Sequence, residues 1–189
     1  MCPVVSSSRE DKPRTIKINR GLCSTPAVVL GSAMPAPVLP LVKIAPLLPA
    51  RGTLMGLDLG TKTIGVAASD PNRWLATGVE TIARKNFSAD AARLLALAAE
   101  RNAVGIVLGL PINMDGSEGP RAQSTRAFAR NLARLTELPI ALWDERLSTA
   151  AVERELIAAD ASRKKRAAVI DQHAAAYILQ GALDRLARV

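Results

Sequence analysis

Short apolar runs separated by turn residues dominate this 189-residue chain from position 53 onward. The first three runs, Thr53 to Leu59, Thr63 to Ser69 and Ala76 to Ile82, are joined by short polar connections and predict three consecutive strands. The run from Ala103 to Leu110 is apolar at almost every position, as expected for a strand covered on both faces. A last run, PIALWDE at residues 139–145, predicts a fifth strand.

Helical spacing of apolar residues predicts four helices between and after these strands. They cover residues 88–101, about 120–135, near 148–159 and 162–186. Ser88 is expected to cap the first of them. The order βββαβαβαα, in which an antiparallel meander passes into βαβ units, predicts an α/β fold with a mixed five-stranded sheet and helices on both faces.

The first 50 residues differ in composition from the rest of the chain. They hold eight of the 12 prolines, too many for a continuous helix or a central strand. We therefore predict a basic, disordered leader over residues 1–50, mobile over residues 1–33, and one folded domain over residues 51–189. Prolines also interrupt the apolar stretch from Ala27 to Ala50, which disfavours a membrane-spanning helix but leaves a signal peptide open. As a further alternative, translation starts at Met34, and the residues before it are not part of the protein.

The charge of the chain favours a polyanionic partner. The formal net charge is +8, and a basic protein can bind nucleic acid through its phosphates. A basic surface without a specific partner is the alternative, because residues 1–50 hold six Lys or Arg against two Asp or Glu and so carry half of the excess. Both cysteines, Cys2 and Cys23, also lie in the leader. No disulfide is expected in the main domain, which fits a reducing cytosol.

Three carboxylates occupy positions where a solvated side chain is not expected. Asp58 lies inside the first strand, Glu145 ends the fifth strand and Asp171 lies in the last helix. A strand end and a helix start can bring such groups together at one end of a sheet, and oxygen-only clusters suit Mg²⁺ or Mn²⁺. Two such ions about 4 Å apart activate water and stabilise the leaving oxygen in phosphodiester hydrolysis.

Each carboxylate also has a structural alternative. Burial of an unpaired charge is costly, which favours a functional Asp58. Glu145 can instead pair with Arg146 or simply end its strand. Asp171 can form a surface salt bridge with the preceding basic residues, although the alanines around it indicate a helix face that packs closely on the sheet. His173, the single histidine, is predicted to take no part.

Basic residues near these carboxylates are candidates for phosphate binding. They are Lys62 in the turn after the first strand, Arg146, and the RKKR run at the start of the last helix with Lys165 and Arg166. A solvated charged face is the alternative for that run. The polar loop at residues 111–119 lies beside a strand end, where ligands bind in such sheets. It can close over a substrate or serve as an ordinary connection.

Four segments, in this order and spacing, resemble the YqgF family of pre-16S rRNA nucleases, also described as Holliday junction resolvases. The segments are RGTLMGLDLGTKTIGVAASD, GIVLGLPINMDGSEG, WDERLST and KKRAAVIDQHAAAYIL. The resemblance runs from about Arg51 to Leu186. It implies a ribonuclease H-like fold, a cytoplasmic location and a role in maturing the 5′ end of small-subunit ribosomal RNA. It also implies that the acidic site residues are Asp58, Glu145 and Asp171.

One departure from the wider superfamily concerns the fourth strand. Resolvases of this fold usually carry an acidic residue at its end, where this chain has Gly109, Leu110 and Pro111. The resemblance therefore implies that Glu145, one strand later, takes that place.

Two other functions compete with a nuclease. The segment LDLGTKTIGVA also resembles the phosphate-binding hairpin of actin-like ATPases and sugar kinases, in which the turn at residues 60–62 would offer N–H groups to a nucleotide. Those proteins clamp the nucleotide between two such domains, and this chain has one copy of the hairpin. A catalytically silent nucleic-acid-binding factor in ribosome assembly is the other alternative.

The sequence thus predicts a hydrolase of phosphodiester bonds that uses two Mg²⁺ or Mn²⁺ ions. Asp58 is expected to bridge the ions, with Glu145 and Asp171 completing their coordination. Phosphates are expected to contact four basic residues, Lys62, Arg146, Lys165 and Arg166. The predicted substrate is precursor 16S rRNA, with branched DNA as the alternative and the ribosomal subunit as a further partner. No membrane partner is expected, and monomer and homodimer both remain open.

Overall fold

The structure is a computed structural model that describes residues 35–147 and 166–189. Of residue 147 and residues 166–172 it describes the backbone alone. Three predictions therefore lie outside the described residues: the mobile tail, the helix near 148–159, and the basic residues 163–165, which include Lys165.

The described chain folds into six strands and four helices. The strands are β1 (Val38–Pro40), β2 (Thr53–Leu59), β3 (Thr63–Ser69), β4 (Ala76–Ala83), β5 (Ala103–Leu110) and β6 (Ile140–Asp144). The helices are α1 (Leu41–Ile44), α2 (Phe87–Glu100), α3 (Pro120–Ala133) and α4 (Arg166–Leu186). Short 3₁₀ turns occur at Ala45–Leu47 and Glu145–Leu147.

All six strands belong to one mixed sheet with the order β1-β6-β5-β2-β3-β4. The strands β2, β3 and β4 form the predicted antiparallel meander. The strands β5, β6 and β1 follow on the other side of β2, and each pairs in parallel with its neighbour. The first long strand is therefore central, and the fold is the predicted α/β fold with a mixed sheet.

The sheet has one strand more than the five predicted. Val38–Pro40 pairs in parallel with β6 at the edge of the sheet, where a proline costs no hydrogen bond of a central strand. The following turn of helix buries Leu41 and Ile44 in the core. Residues 35–50, which composition assigned to the leader, are thus part of the folded unit, because β1 pairs with β6 and Ala36, Leu41 and Ile44 are buried.

The sheet is covered on both faces, as predicted. One core cluster joins Leu57 of β2 to Leu94 of α2 and Leu132 of α3. The second joins Leu54 of β2 to Ile178 of α4, together with residues of α1. Side chains of β2 therefore alternate between the two clusters, as the period of a strand requires.

The start of α2 differs from the prediction. Asn86, rather than Ser88, is the N-cap residue, and its side-chain oxygen accepts a hydrogen bond of 2.9 Å from the backbone N of Ala89. Both are cap-forming residue types, and the extended backbone of Asn86 places the cap two residues earlier. Within the described ranges, no helix is both long and apolar enough to cross a membrane.

Candidate active site

A row of three positions crosses the sheet at the carboxyl ends of the parallel strands. In β2 and β5, Leu57 pairs with Leu108, so the next positions, Asp58 and Gly109, are neighbours. Gly109 in turn pairs with Trp143 of β6. The row therefore runs from Asp58 over Gly109 to Trp143 on three adjacent strands.

This row faces α4. A Cβ atom on Gly56, two residues before Asp58, would lie 2.6 Å from Cβ of Leu179 in α4. A Cβ atom on Gly109 would lie 2.7 Å from Cδ1 of Ile178 in the same helix. Because alternate residues of a strand share a face, Asp58 is on the α4 side of the sheet. It is half-buried there, as expected for a carboxylate that lines a site rather than the core.

The side chain of Glu145 also reaches this row, although Glu145 itself lies just after β6. It begins the 3₁₀ turn that follows β6, yet its Oε1 atom lies 2.6 Å from the place that a Cβ atom on Gly109 would take. Its carboxylate therefore lies over the end of β5 rather than over β6. Adjacent strands are about 4.8 Å apart, which places this carboxylate about one strand spacing from Asp58. The structure thus brings two of the three predicted carboxylates together.

Asp171 lies in α4, as predicted, and its side chain is outside the described part of the chain. Its position is four residues before Ala175 and seven before Ile178, both of which are buried against the sheet. Residues with this spacing share one helix face. The backbone therefore places Asp171 in the stripe of α4 that packs on the sheet. His173, two residues later, is exposed.

Arg146 pairs with Asp144 in the structure. Its Nε atom lies 3.1 Å from both carboxylate oxygens of Asp144, and its Nη2 atom lies 2.8 Å from Oδ2. The backbone N of Arg146 also donates to Oδ1 of Asp144 at 3.0 Å. These hydrogen bonds hold the pKa of the Asp144 carboxyl below its usual value. Asp144 was not a predicted site residue, although its place next to Glu145 is a signal for it.

The loop at residues 111–119 lies beside Arg146. A Cβ atom on Gly116 would lie 3.7 Å from Nη1 of Arg146. The loop has its own hydrogen bonds, because Ser117 donates its backbone N and its hydroxyl to Oδ1 of Asp115 at 2.8 and 2.6 Å. These bonds lower the pKa of Asp115, and the charge of Arg146 adds to the effect. Internal bonding makes this segment a defined turn next to the site.

Lys62 is exposed in the turn between β2 and β3. Arg84, which sequence reasoning missed, ties this turn to the end of β4. Its Nη1 atom donates to the Gly60 carbonyl at 2.8 Å, and its backbone N donates to the Lys62 carbonyl at 2.9 Å. No sequence motif marks Arg84, since the contact joins two strand ends that are 24 residues apart. The remaining basic candidate, Arg166, is the first residue of α4, where only the backbone is described.

The residues at this edge fit a hard divalent ion. Asp58 and Glu145 supply carboxylate oxygens, which Mg²⁺ and Mn²⁺ prefer, and Asp171 lies in the helix that packs on the same row. Among the side chains that the structure describes, no group of three His, Cys, Asp or Glu could hold a metal.

Known proteins with a related sequence cover most of the chain. A family model described as "RuvX: Holliday junction resolvase" matches residues 52–185. A protein of Rhodopseudomonas palustris strain TIE-1 is 82% identical over 154 residues, which are 82% of this chain and 96% of that protein. A protein of Bradyrhizobium sp. strain BTAi1 is 78% identical over 154 residues, with the same two coverages. Both bear the name "Putative pre-16S rRNA nuclease".

Solved structures with a similar chain path have low sequence identity. The structure of T. thermophilus RuvC in complex with a Holliday junction substrate matches with a TM-score of 0.48 and 13% identity, over 72% of this chain and 96% of that one. The yeast mitochondrial Holliday junction resolvase Ydc2 matches with a TM-score of 0.47 and 15% identity, over 78% of this chain and 85% of that one.

Proposed function

Because the chain belongs to the RuvX family, and is therefore a nuclease and a hydrolase of ester bonds, we propose that it cleaves precursor 16S rRNA with the help of divalent metal ions. It would act at the 5′ end of the RNA, in the cytoplasm. The observation that carries this proposal is the place of the Glu145 carboxylate over Gly109 of β5, on the strand next to Asp58.

Asp58 and Glu145 would hold Mg²⁺ or Mn²⁺, with Asp171 as a third ligand. Bound ions of this kind activate water and stabilise charge on the leaving oxygen. The protein contributes a fixed geometry, because Asp58 is in the central strand of the sheet and Glu145 follows the strand two places away. Ligands on a rigid sheet need little reorganisation when the substrate arrives.

Basic side chains around this edge would position the RNA phosphates. Arg146 is oriented by its hydrogen bonds to Asp144, and Lys62 is exposed in the turn that follows Asp58. Lys165 and Arg166 belong to the basic run at the start of α4. Contacts of this type fix the register of a nucleic acid without reading its sequence.

The choice of RNA follows the relatives. Proteins 78–82% identical to this chain bear the name of a pre-16S rRNA nuclease. The carboxylates of the site would act in the same way on RNA and on DNA, so they do not decide between the two. The description of the family as a Holliday junction resolvase makes branched DNA the second candidate. A ribosomal subunit is a further partner for an enzyme that acts on precursor rRNA, and the enzyme would act as a monomer or a homodimer.

Cleavage assays test both candidates together. Labelled precursor 16S rRNA and a four-way DNA junction are incubated with Mg²⁺ or Mn²⁺ and with wild type, Asp58→Asn or Glu145→Gln. Metal stabilisation of a transition state is worth several kcal/mol, so each variant should cut RNA at least about 100-fold more slowly. Glu100→Gln is the matched control, because Glu100 is exposed at the end of α2 on the other face of the sheet, and it should cut like wild type.

Each result leads to a different conclusion. Loss of RNA cleavage in both site variants supports the proposal, and cleavage of the junction alone favours a DNA resolvase. Wild type that binds RNA but cuts neither substrate, with equal binding by Asp58→Asn, would contradict the proposal and favour a silent assembly factor.

A further inference from the structure

Gly109 is the last residue but one of β5, at a place where a larger residue would have to move its neighbours. A Cβ atom there would lie 2.6 Å from Oε1 of Glu145 and 2.7 Å from Cδ1 of Ile178. Real Cβ atoms essentially never approach another heavy atom within 3.0 Å. A side chain on residue 109 would therefore displace the Glu145 carboxylate, the α4 side chain, or both.

Backbone conformation does not require a glycine at this position. Among the described glycines, Gly52 and Gly116 have a positive φ angle, and Gly109 does not. Any residue can adopt the backbone of Gly109, so space rather than conformational freedom is what the glycine provides.

The space is filled by the carboxylate of Glu145, which lies over β5 although Glu145 itself follows β6. Glu145 follows β6, which is two strands from β2, or about 9.6 Å at the usual strand spacing. A glutamate that stayed above its own strand would therefore lie far from Asp58. By lying over Gly109, its carboxylate moves one strand closer. A side chain on residue 109 would stand between the two carboxylates.

A second glycine of β5 provides a comparison. A Cβ atom on Gly105 would also be crowded, at 2.9 Å from Cδ2 of Leu48 and 3.1 Å from Cδ2 of Leu54. Its two nearest neighbours are apolar, and the third is the Pro139 carbonyl at 3.4 Å, so Gly105 serves packing beside the second core cluster. It lies four residues from Gly109, about 13 Å along the strand, and is therefore on the same face of the sheet.

We propose that Gly109 is a positioning residue for the metal site: by lacking a side chain, it lets the Glu145 carboxylate lie over the end of β5, where Glu145 and Asp58 would both be ligands of one divalent ion. This proposal rests on the proposed function of Asp58 and Glu145. A side chain on residue 109 would occupy the space that the Glu145 carboxylate now fills. A carboxylate on residue 109 should therefore serve as a metal ligand in place of Glu145.

Metal binding by the full chain tests the proposal without turnover. Mn²⁺ titrations, followed by electron paramagnetic resonance of the free ion, compare wild type with Gly109→Ala and with the control Gly105→Ala. Changes that disturb the setting of a metal ligand weaken binding about 10–100-fold, and this loss is expected for Gly109→Ala. Gly105→Ala should bind Mn²⁺ within about twofold of wild type. Because its Cβ atom is also crowded, its melting temperature should fall about as much as that of Gly109→Ala.

Two further variants separate positioning from packing. Gly109→Ala combined with Ile178→Val removes the Cδ1 atom that the new methyl group would meet, so it should regain thermal stability but not Mn²⁺ affinity. Gly109→Asp combined with Glu145→Ala should bind Mn²⁺ at least about tenfold more tightly than Glu145→Ala alone.

The titrations also show which proposal fails if one does. Mn²⁺ affinity of Gly109→Ala/Ile178→Val equal to that of wild type would make Gly109 a packing residue and overturn the inference alone. Equal Mn²⁺ binding by wild type and Asp58→Asn would overturn the proposed metal site, and the positioning role with it.

Discussion

At the scale of single residues, the site depends on which carboxylate, Asp144 or Glu145, pairs with Arg146. Arg146 is bidentate with Asp144, and both carboxylate oxygens of Asp144 accept from it. The sequence left a pair between Glu145 and Arg146 open as one structural alternative to a site role for Glu145. The neighbouring Asp144 takes this place instead, two residues before Arg146. The side chain of Arg146 is therefore oriented by the hydrogen bonds that it donates to Asp144.

The Asp144 pair has a defined pH dependence. Hydrogen bonds from Arg146 lower the pKa of Asp144 in the folded state, so the ionised carboxyl stabilises the fold. This contribution is complete above the pKa that Asp144 has in the unfolded chain, about 3.9, and is lost as the pH falls through the lower folded pKa. Wild type should thus unfold at higher urea than Asp144→Asn at pH 7, and the difference should shrink below about pH 4.

Urea unfolding of the two proteins at pH 7 and pH 3 measures this difference. A control is Asp184→Asn, since Asp184 is exposed in the last turns of α4 and shows no ion pair among the described residues. A difference between wild type and Asp144→Asn that grows toward pH 3 would contradict the assignment of the pair.

At the scale of elements, periodicity predicted the long strands well. The bounds of β2, β3 and β5 agree with the prediction to the residue, because alternation and continuous apolar runs are strong local signals. The strand β1 was missed, since three residues among prolines give no periodic pattern. The placement of Glu145 at the end of β5 was implied by the family resemblance and not by periodicity, because it joins residues 36 positions apart and depends on a missing side chain.

The cap of α2 is a local feature that the sequence assigned to Ser88 and the structure assigns to Asn86. Asn86 accepts a hydrogen bond from the backbone of Ala89, so Asn86→Ala should lower the free energy of unfolding by about 1 kcal/mol. Ser88 lies inside the first turn and is exposed, so Ser88→Ala should change it by less than about 0.5 kcal/mol. Chemical denaturation of both variants measures the difference. An equal loss in the two would contradict the assignment of Asn86 as the cap.

At the scale of the whole molecule, the site depends on the edge of the sheet that composition excluded from the domain. The strand β1 pairs with β6, and β6 leads directly into Glu145. The apolar residues after β1 also pack in the same core cluster as Ile178 of α4, whose side chain borders Gly109. Support for the carboxylates thus extends from α4 through the core to residues 35–50.

Two truncated chains test where the folded unit begins. A chain of residues 35–189 keeps β1 and both described core clusters, so it should melt within about 2 °C of the full chain. A chain of residues 51–189 also loses Leu41 and Ile44, which are 4% and 2% exposed. Burial of a Leu or Ile side chain is worth about 1.5–3 kcal/mol, so this chain should be less stable by at least about 3 kcal/mol.

The same pair of truncations links the edge of the sheet to the metal site. If β1 and α1 support β6 and α4, the chain of residues 51–189 should also bind Mn²⁺ more weakly than the chain of residues 35–189 under conditions in which both are folded. Thermal unfolding and Mn²⁺ titration of the two chains provide these measurements. Equal stability of the two would contradict a structural role for residues 35–50, whereas equal Mn²⁺ affinity with unequal stability would confine that role to folding.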